Sequence, residues 1–240
     1  MKIIECENYT QVCMTAANIV AAQILQKPDC VLGLPTGNTP IEMYRILAEK
    51  HHGGEADFSA VTTFNLDEYC GISHGNPNSY YAFMQQHLFS KVNIKPENTH
   101  IPNGENPNAE DETTQYERAI DACGLDLQVL GIGQNGHIGF NEPAAKLSAV
   151  THKTALTQNT IEVNSALFEN PADIPKTAYT MGIGTIMKAR KVIMLASGAN
   201  KKAAVSDILG GMITTQNPST MLLMHPDFVL IADKAALGKK

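Results

Sequence analysis

The chain has 240 residues, 43% hydrophobic and 18% charged, which is enough apolar material for one sizeable domain or two small ones. Lys+Arg 18 against Asp+Glu 24 gives a formal charge of -6, and no basic run exceeds two lysines, which argues against a nucleic-acid partner. The five scattered cysteines have no C-x-x-C spacing, so neither a disulfide framework nor a zinc site is indicated; with no signal peptide and no membrane-length apolar run, we expect a cytoplasmic protein away from membranes.

In chain order, Ile3 and Ile4 begin a first strand. Asn8 or Thr10 can cap a helix to about Gln26, with Val12, Ala16, Ile19, Val20 and Leu25 on its inner side. Cys30 to Leu34 reads as a buried strand. Thr39 with Glu42 predicts a capping box, and Pro40 fits the first helical turn. Thr36, Gly37, Asn38 and Thr39 therefore form a strand-to-helix turn at a helix N-terminus, where free amides, the helix dipole and two hydroxyls suit a phosphate. A well-capped turn without a ligand is the plainer alternative. The missing G-K-[ST] ending argues against a nucleoside triphosphate.

That helix runs to about Lys50, and Val61 to Leu66 is a third strand that delivers Asp67 at its carboxyl end, where ligands sit in open parallel sheets. Asp67 is then a candidate general base or the cap of the next turn. Asn78 or Ser79 starts a helix through Leu88 whose aromatic residues read as core; Asn93 to Glu110 reads as loop, and Glu112 to Cys123 as helix. Leu127 to Leu130 is a buried strand that feeds Gly131 to Glu142, a glycine-rich loop carrying Asn135, His137 and Glu142. A histidine and a carboxylate on a strand exit suit proton transfer, and a structural histidine in a glycine-rich turn is the alternative. The G-x-G-x-x-G spacing at Gly131, Gly133 and Gly136 lacks its following helix, so a dinucleotide is not indicated.

Lys146 to Leu156 is polar and irregular, and a lid at about 143–170 is expected over the central loop. Thr157 to Phe168 reads as helix, Ala178 to Gly184 as strand and glycine exit, Thr185 to Arg190 as a short helix, and Val192 to Ala196 as strand. Lys201 opens a helix to about Leu209, where its ammonium can meet a phosphate or simply face solvent. Asn217-Pro218-Ser219 caps a helix to Met224, and Phe228 to Ala232 is the last strand. Alternating strands and helices give an α/β class with a mostly parallel sheet flanked by helices, as one domain over 1–240.

Four segments carry a resemblance: Leu32 to Pro40, Phe64 to Tyr69, Asn78 to Tyr81, and Gly131 to Pro143. In this order they are similar to the glucosamine-6-phosphate deaminase family, and the likeness covers nearly the whole chain. It implies a Rossmann-like fold and conversion of glucosamine 6-phosphate and water to fructose 6-phosphate and ammonia, with no metal or organic cofactor. Asp67 resembles the base at C2 and C1, His137 the ring-opening catalyst, and Glu142 the group that orients it; Asn135 stands where many members have aspartate and is expected to act as a geometric partner. Thr36 to Thr39 and Lys201 match the family's phosphate site. Ala166 replaces the arginine of the pattern Asn-Ser-Arg-Phe-Phe, which keeps galactosamine 6-phosphate in view as an alternative substrate. The family's allosteric serine, arginine and lysine fall at Ala145, His152 and Thr154, so no activation by N-acetylglucosamine 6-phosphate is expected. A monomer or small homo-oligomer is expected. A sugar-phosphate sensor of the same fold is the rival from another class, disfavoured because Asp67, His137 and Glu142 are all retained; the Phe140 to Pro143 ending argues against a lactonase.

Overall fold

The computed structural model describes residues 1–158, 161–162, 170 and 173–239. Its centre is a seven-stranded sheet in the order β1-β10-β9-β6-β2-β3-β5, every pairing parallel. The strands are β1 (Lys2–Cys6), β2 (Val31–Leu34), β3 (Thr62–Asn65), β5 (Thr99–His100), β6 (Leu127–Gly131), β9 (Lys191–Ala196) and β10 (Phe228–Asp233). A second, antiparallel sheet holds β4 (Asp67–Tyr69), β8 (Thr177–Thr180) and β7 (His152–Ala155) in the order β4-β8-β7.

Helices cover both faces of the large sheet, and strand alternation decides which side chain meets which layer. Leu127 and Val129 of β6, Ile193 and Leu195 of β9, and Val229 and Ile231 of β10 join the core under α1 (Tyr9–Gln26), α2 (Ile41–His52) and α3 (Tyr80–His87). Leu130, Val192, Met194, Phe228 and Leu230 face the other way, toward α4 (Ala109–Cys123), α5 (Ile183–Met187) and α6 (Lys202–Leu209). A third, smaller cluster of Tyr69, Ile72, Leu156 and Ala178 fills the second sheet's inner face.

Several expectations need correcting. Leu25 is 78% exposed, and Ile24 takes the inward position instead. The Thr39–Glu42 capping box is not formed: no side chain caps α2, and Glu42 turns to Arg45, which donates from Nε at 2.8 Å. A two-pronged charged pair one turn on competes better for that carboxylate than a neutral amide does. The loop from Asn93 contains β5, and α4 starts at Ala109 with Asn108 as its cap, earlier than expected. Residues His152–Ala155, read as irregular, form β7. Asn217 does not cap the 3-10 turn Pro218–Met224; its amide is drawn to α6, donating to Ala204 O and Asp207 Oδ2, both at 3.0 Å. Most of the expected helix from Thr157 to Phe168, including Ala166, and with it residues 159–160 and 163–169 of the expected lid, lie outside the described residues.

Candidate active site

The chain leaves β2 toward β3 and β5 on one side, and β6 toward β9 and β10 on the other, so the strand order reverses between β2 and β6. A crevice at the carboxyl ends of the strands follows from that reversal. Here it is a cleft of about 240 Å³ lined by Thr36, Gly37, Asn38 and Thr39 after β2, Asp67 after β3, and Gly131, Gly133, His137 and Gly139 after β6. Tyr80 and Phe140 form an aromatic wall, their rings stacked with centroids 6.2 Å apart.

The turn after β2 is held from behind. Tyr9 Oη donates to Asn38 O at 3.2 Å and Thr39 O at 3.1 Å, and Tyr44 Oη donates to Pro35 O. These bonds occupy carbonyls of the turn and fix Thr36 to Thr39 along the cleft just before α2, an arrangement of small polar residues that suits an anion.

Asp67 stands where the backbone passes from one sheet to the other. Its neighbour Leu66 bonds both sheets, its N–H donating to Leu34 O at 3.3 Å and its carbonyl accepting from Met181 N at 2.8 Å. The carboxyl is only 6% exposed, and among the described residues it has no hydrogen-bond donor. Burial first, and the charge of Glu68 second, push its pKa up to about 8. Gly139 permits this packing: a Cβ there would lie 3.1 Å from Asp67 Oδ2 and 2.9 Å from Thr180 Oγ1, on a backbone with φ of 56°.

His137 is built locally. Gly133 N donates to His137 O at 2.9 Å, and a side chain at Gly133 would overlap the imidazole. The ring's Nδ1 faces Glu142 Oε1 at 3.2 Å, without the alignment of a full hydrogen bond. Asn135 closes the triangle: its Nδ2 donates to Glu142 Oε2 at 2.7 Å, and its Oδ1 accepts from the His137 backbone N–H at 3.2 Å. Burial raises the Glu142 pKa, but His137 and Asn135 together outweigh it and hold the carboxyl below its usual value.

Asp67, His137 and Thr36 to Thr39 thus share one cleft, with Glu142 and Asn135 behind the imidazole. Lys201 does not line it. It sits beyond the end of β9, half-buried, without a carboxylate partner among the described residues, and desolvation lowers its pKa. Three contributors were not given a site role from the sequence: Tyr80, which reads as core, Phe140, which entered only as part of the Phe140 to Pro143 ending, and Glu68, whose proximity to Asp67 in sequence was its only signal. Among the described residues no group of three His, Cys, Asp or Glu could hold a metal ion, and no helix is long and apolar enough to cross a membrane.

Comparison with known proteins gives this geometry a family. Residues 6–230 match the family described as glucosamine-6-phosphate isomerases/6-phosphogluconolactonase. The chain is 50% identical to a glucosamine-6-phosphate deaminase of Thermoanaerobacter pseudethanolicus over 98% of its length and 94% of the relative's. It is 48% identical to one from Clostridioides difficile, over 100% of this chain and 96% of that one. A solved monomeric glucosamine-6-phosphate deaminase superposes with a TM-score of 0.95 at 41% identity, covering 100% of both chains. A 6-phosphogluconolactonase from Thermotoga maritima shares the fold alone, with a TM-score of 0.75 at 20% identity. The chain belongs to the glucosamine-6-phosphate deaminase family.

Proposed function

We propose that the chain converts glucosamine 6-phosphate and water to fructose 6-phosphate and ammonia. The observation that carries this reading is the convergence on one cleft of a buried carboxyl with no donor among the described residues (Asp67), an imidazole backed by a carboxylate (His137 and Glu142) and an anion-favouring turn (Thr36 to Thr39).

His137 moves the proton of the C1 hydroxyl to the ring oxygen as the C1–O5 bond breaks, leaving an open-chain aldehyde. Glu142 stabilises the imidazolium that forms transiently, and Asn135 fixes Glu142 rather than sharing charge with the ring. Asp67 takes the C2 proton while the substrate's own ammonium group passes one to the C1 oxygen, which yields a neutral enolamine. The same carboxyl returns its proton to C1, giving a C2 iminium that water hydrolyses to the ketone, the nitrogen leaving as ammonium. A carbon acid of this weakness needs a base in contact and stripped of water, which the burial of Asp67 supplies. The turn Thr36 to Thr39 holds the 6-phosphate, and Lys201, which stands outside the lining at the exit of β9, is the cation placed to approach it. A neighbour described as monomeric, matched over 100% of both chains, supports a monomer.

The deciding assay measures ammonia release from glucosamine 6-phosphate and galactosamine 6-phosphate side by side, with 6-phosphogluconolactone hydrolysis as the third arm. Turnover of glucosamine 6-phosphate at least tenfold above both others is expected; preference for either of the others overturns the assignment. Because Asp67 holds its proton up to about pH 8 in the open cleft, kcat/KM should climb with pH along a limb centred near 8.

A further inference from the structure

Glu68 is fully buried next to Asp67 and does not line the cleft. Its Oε1 accepts the backbone N–H groups of Tyr69 at 2.9 Å and Tyr80 at 3.0 Å, and its Oε2 accepts that of Tyr81 at 3.0 Å. Two of these donors are the first residues of α3, so the carboxylate of β4 serves as a cap from another element, beside the ordinary Ser79 cap that bonds Ala82 N. The same bonds seat Tyr80 in the cleft wall against Phe140, with Tyr80 Oη donating to Tyr69 Oη at 3.1 Å.

We propose that Glu68 is a positioning residue for the reaction: it docks the start of α3, and with it Tyr80, onto the site, and keeps a negative charge beside the base. This rests on the assignment of Asp67 above. The two carboxyls compete for ionisation, and the competition is unequal. Glu68 has three N–H donors and a helix N-terminus to favour its charge, whereas Asp67 has no donor among the described residues. Burial raises both carboxyls, and the three donors that Glu68 has and Asp67 lacks make Glu68 the first of the two to ionise. The other titratable groups near Asp67 do not supply this charge. Tyr44 of α2, Tyr80 of α3 and Tyr116 of α4 are buried phenols held neutral well above pH 10, and the Nδ1 of His137 faces Glu142.

The test is Glu68→Gln, which keeps an acceptor for the α3 amides and removes the charge. Its kcat/KM for glucosamine 6-phosphate, followed by ammonia release from pH 5.5 to 9.5, should show the rising limb displaced downward by about one pH unit. The fraction of plateau activity kept at pH 6 then rises about tenfold, while the plateau itself falls because a weaker base abstracts the proton. A mere helix cap would change the plateau and leave the limb in place, so an unmoved limb overturns the proposal. Should the variant not fold, carboxyl carbon NMR of the unaltered protein decides: Glu68 must ionise before Asp67, and the reverse order overturns it. Asp67→Asn separates the two readings. If that variant keeps turnover, the base assignment fails and this proposal with it; if it is inactive and the Glu68→Gln limb is unmoved, only the role of Glu68 fails.

Discussion

Asp67 and Glu142 serve one site from opposite kinds of surroundings. Asp67 is buried at the crease between two sheets with no donor to its oxygens among the described residues, and its pKa rises to about 8. Glu142 is also partly buried, yet the imidazole faces it at 3.2 Å and Asn135 donates to it, and its pKa falls below the ordinary value. Burial alone therefore does not set a carboxyl's task. Burial without donors keeps a proton acceptor strong; donors offset burial, in part at Glu68 and more than fully at Glu142, whose charge can steady a cation.

The severest way to break this comparison is to remove the base and keep its shape. Asp67→Asn should lower kcat by about 10²–10⁴ while calorimetry shows the substrate still binding within a few-fold of the unaltered protein. Turnover within tenfold of normal would take Asp67 out of the chemistry. The partner experiment is His137→Gln, assayed with closed-ring substrate and with an open-chain analogue. A loss of about 10²-fold confined to the closed ring is expected, because the imidazole is needed only while the ring opens. Equal losses on both would contradict its role.

The same contrast explains how much the sequence disclosed. The imidazole–carboxylate couple lies within one loop, and the glycines that let it fold are adjacent in the chain, so Asn135, His137 and Glu142 read as a unit. The buried strands β2, β6, β9 and β10 announce themselves as apolar runs, and Asn8 and Ser79 cap the helices expected of them. Asp67 was legible only as a carboxylate at a strand exit. Its perturbed pKa comes first from burial beside Gly139 and Thr180, residues up to 113 positions away that no local pattern connects, and second from Glu68.

Other features were hidden for similar reasons. β5 is two residues long and exists because Phe64 stacks on His100, ring centroids 4.6 Å apart, while β3 pairs with it. β7 carries a polar sequence and becomes a strand only by pairing with β8. The α2 capping box looked complete, but Arg45 claimed its glutamate. In each case a distant partner or a stronger charge overrode a weak local preference.

Lys201→Ala sharpens the comparison on the anion side. Lys201 lacks a carboxylate partner among the described residues, and desolvation pulls its pKa down, so an incoming phosphate dianion should be its main counter-charge. Removing it should raise KM for glucosamine 6-phosphate by about tenfold or more, in line with the ~1.5–3 kcal/mol of a charge-assisted contact, and change kcat less. An unchanged KM would show that the turn Thr36 to Thr39 holds the phosphate without it.

The smallest effect is thermodynamic and needs no substrate. Asp67 has a folded pKa of about 8 against an ordinary 3.8, so between these values the folded protein holds a proton that the unfolded chain releases. Stability from this group is therefore fully present below about pH 4 and is lost as pH rises through 8. Asn cannot ionise, so Asp67→Asn should melt with the unaltered protein near pH 4 and above it at pH 8.5. A gap of at least about 2–4 °C is expected, the shift that ~1 kcal/mol produces in a chain of this size. The gap must widen monotonically across that window in thermal melts at fixed ionic strength. Glu142→Gln should do the reverse, because its folded pKa is depressed: the glutamate stabilises above its unfolded pKa, so the glutamine variant loses Tm at neutral pH and recovers parity in acid. Two melting series of the same sign would mean that the cleft treats its two carboxyls alike, and the contrast between them would fall.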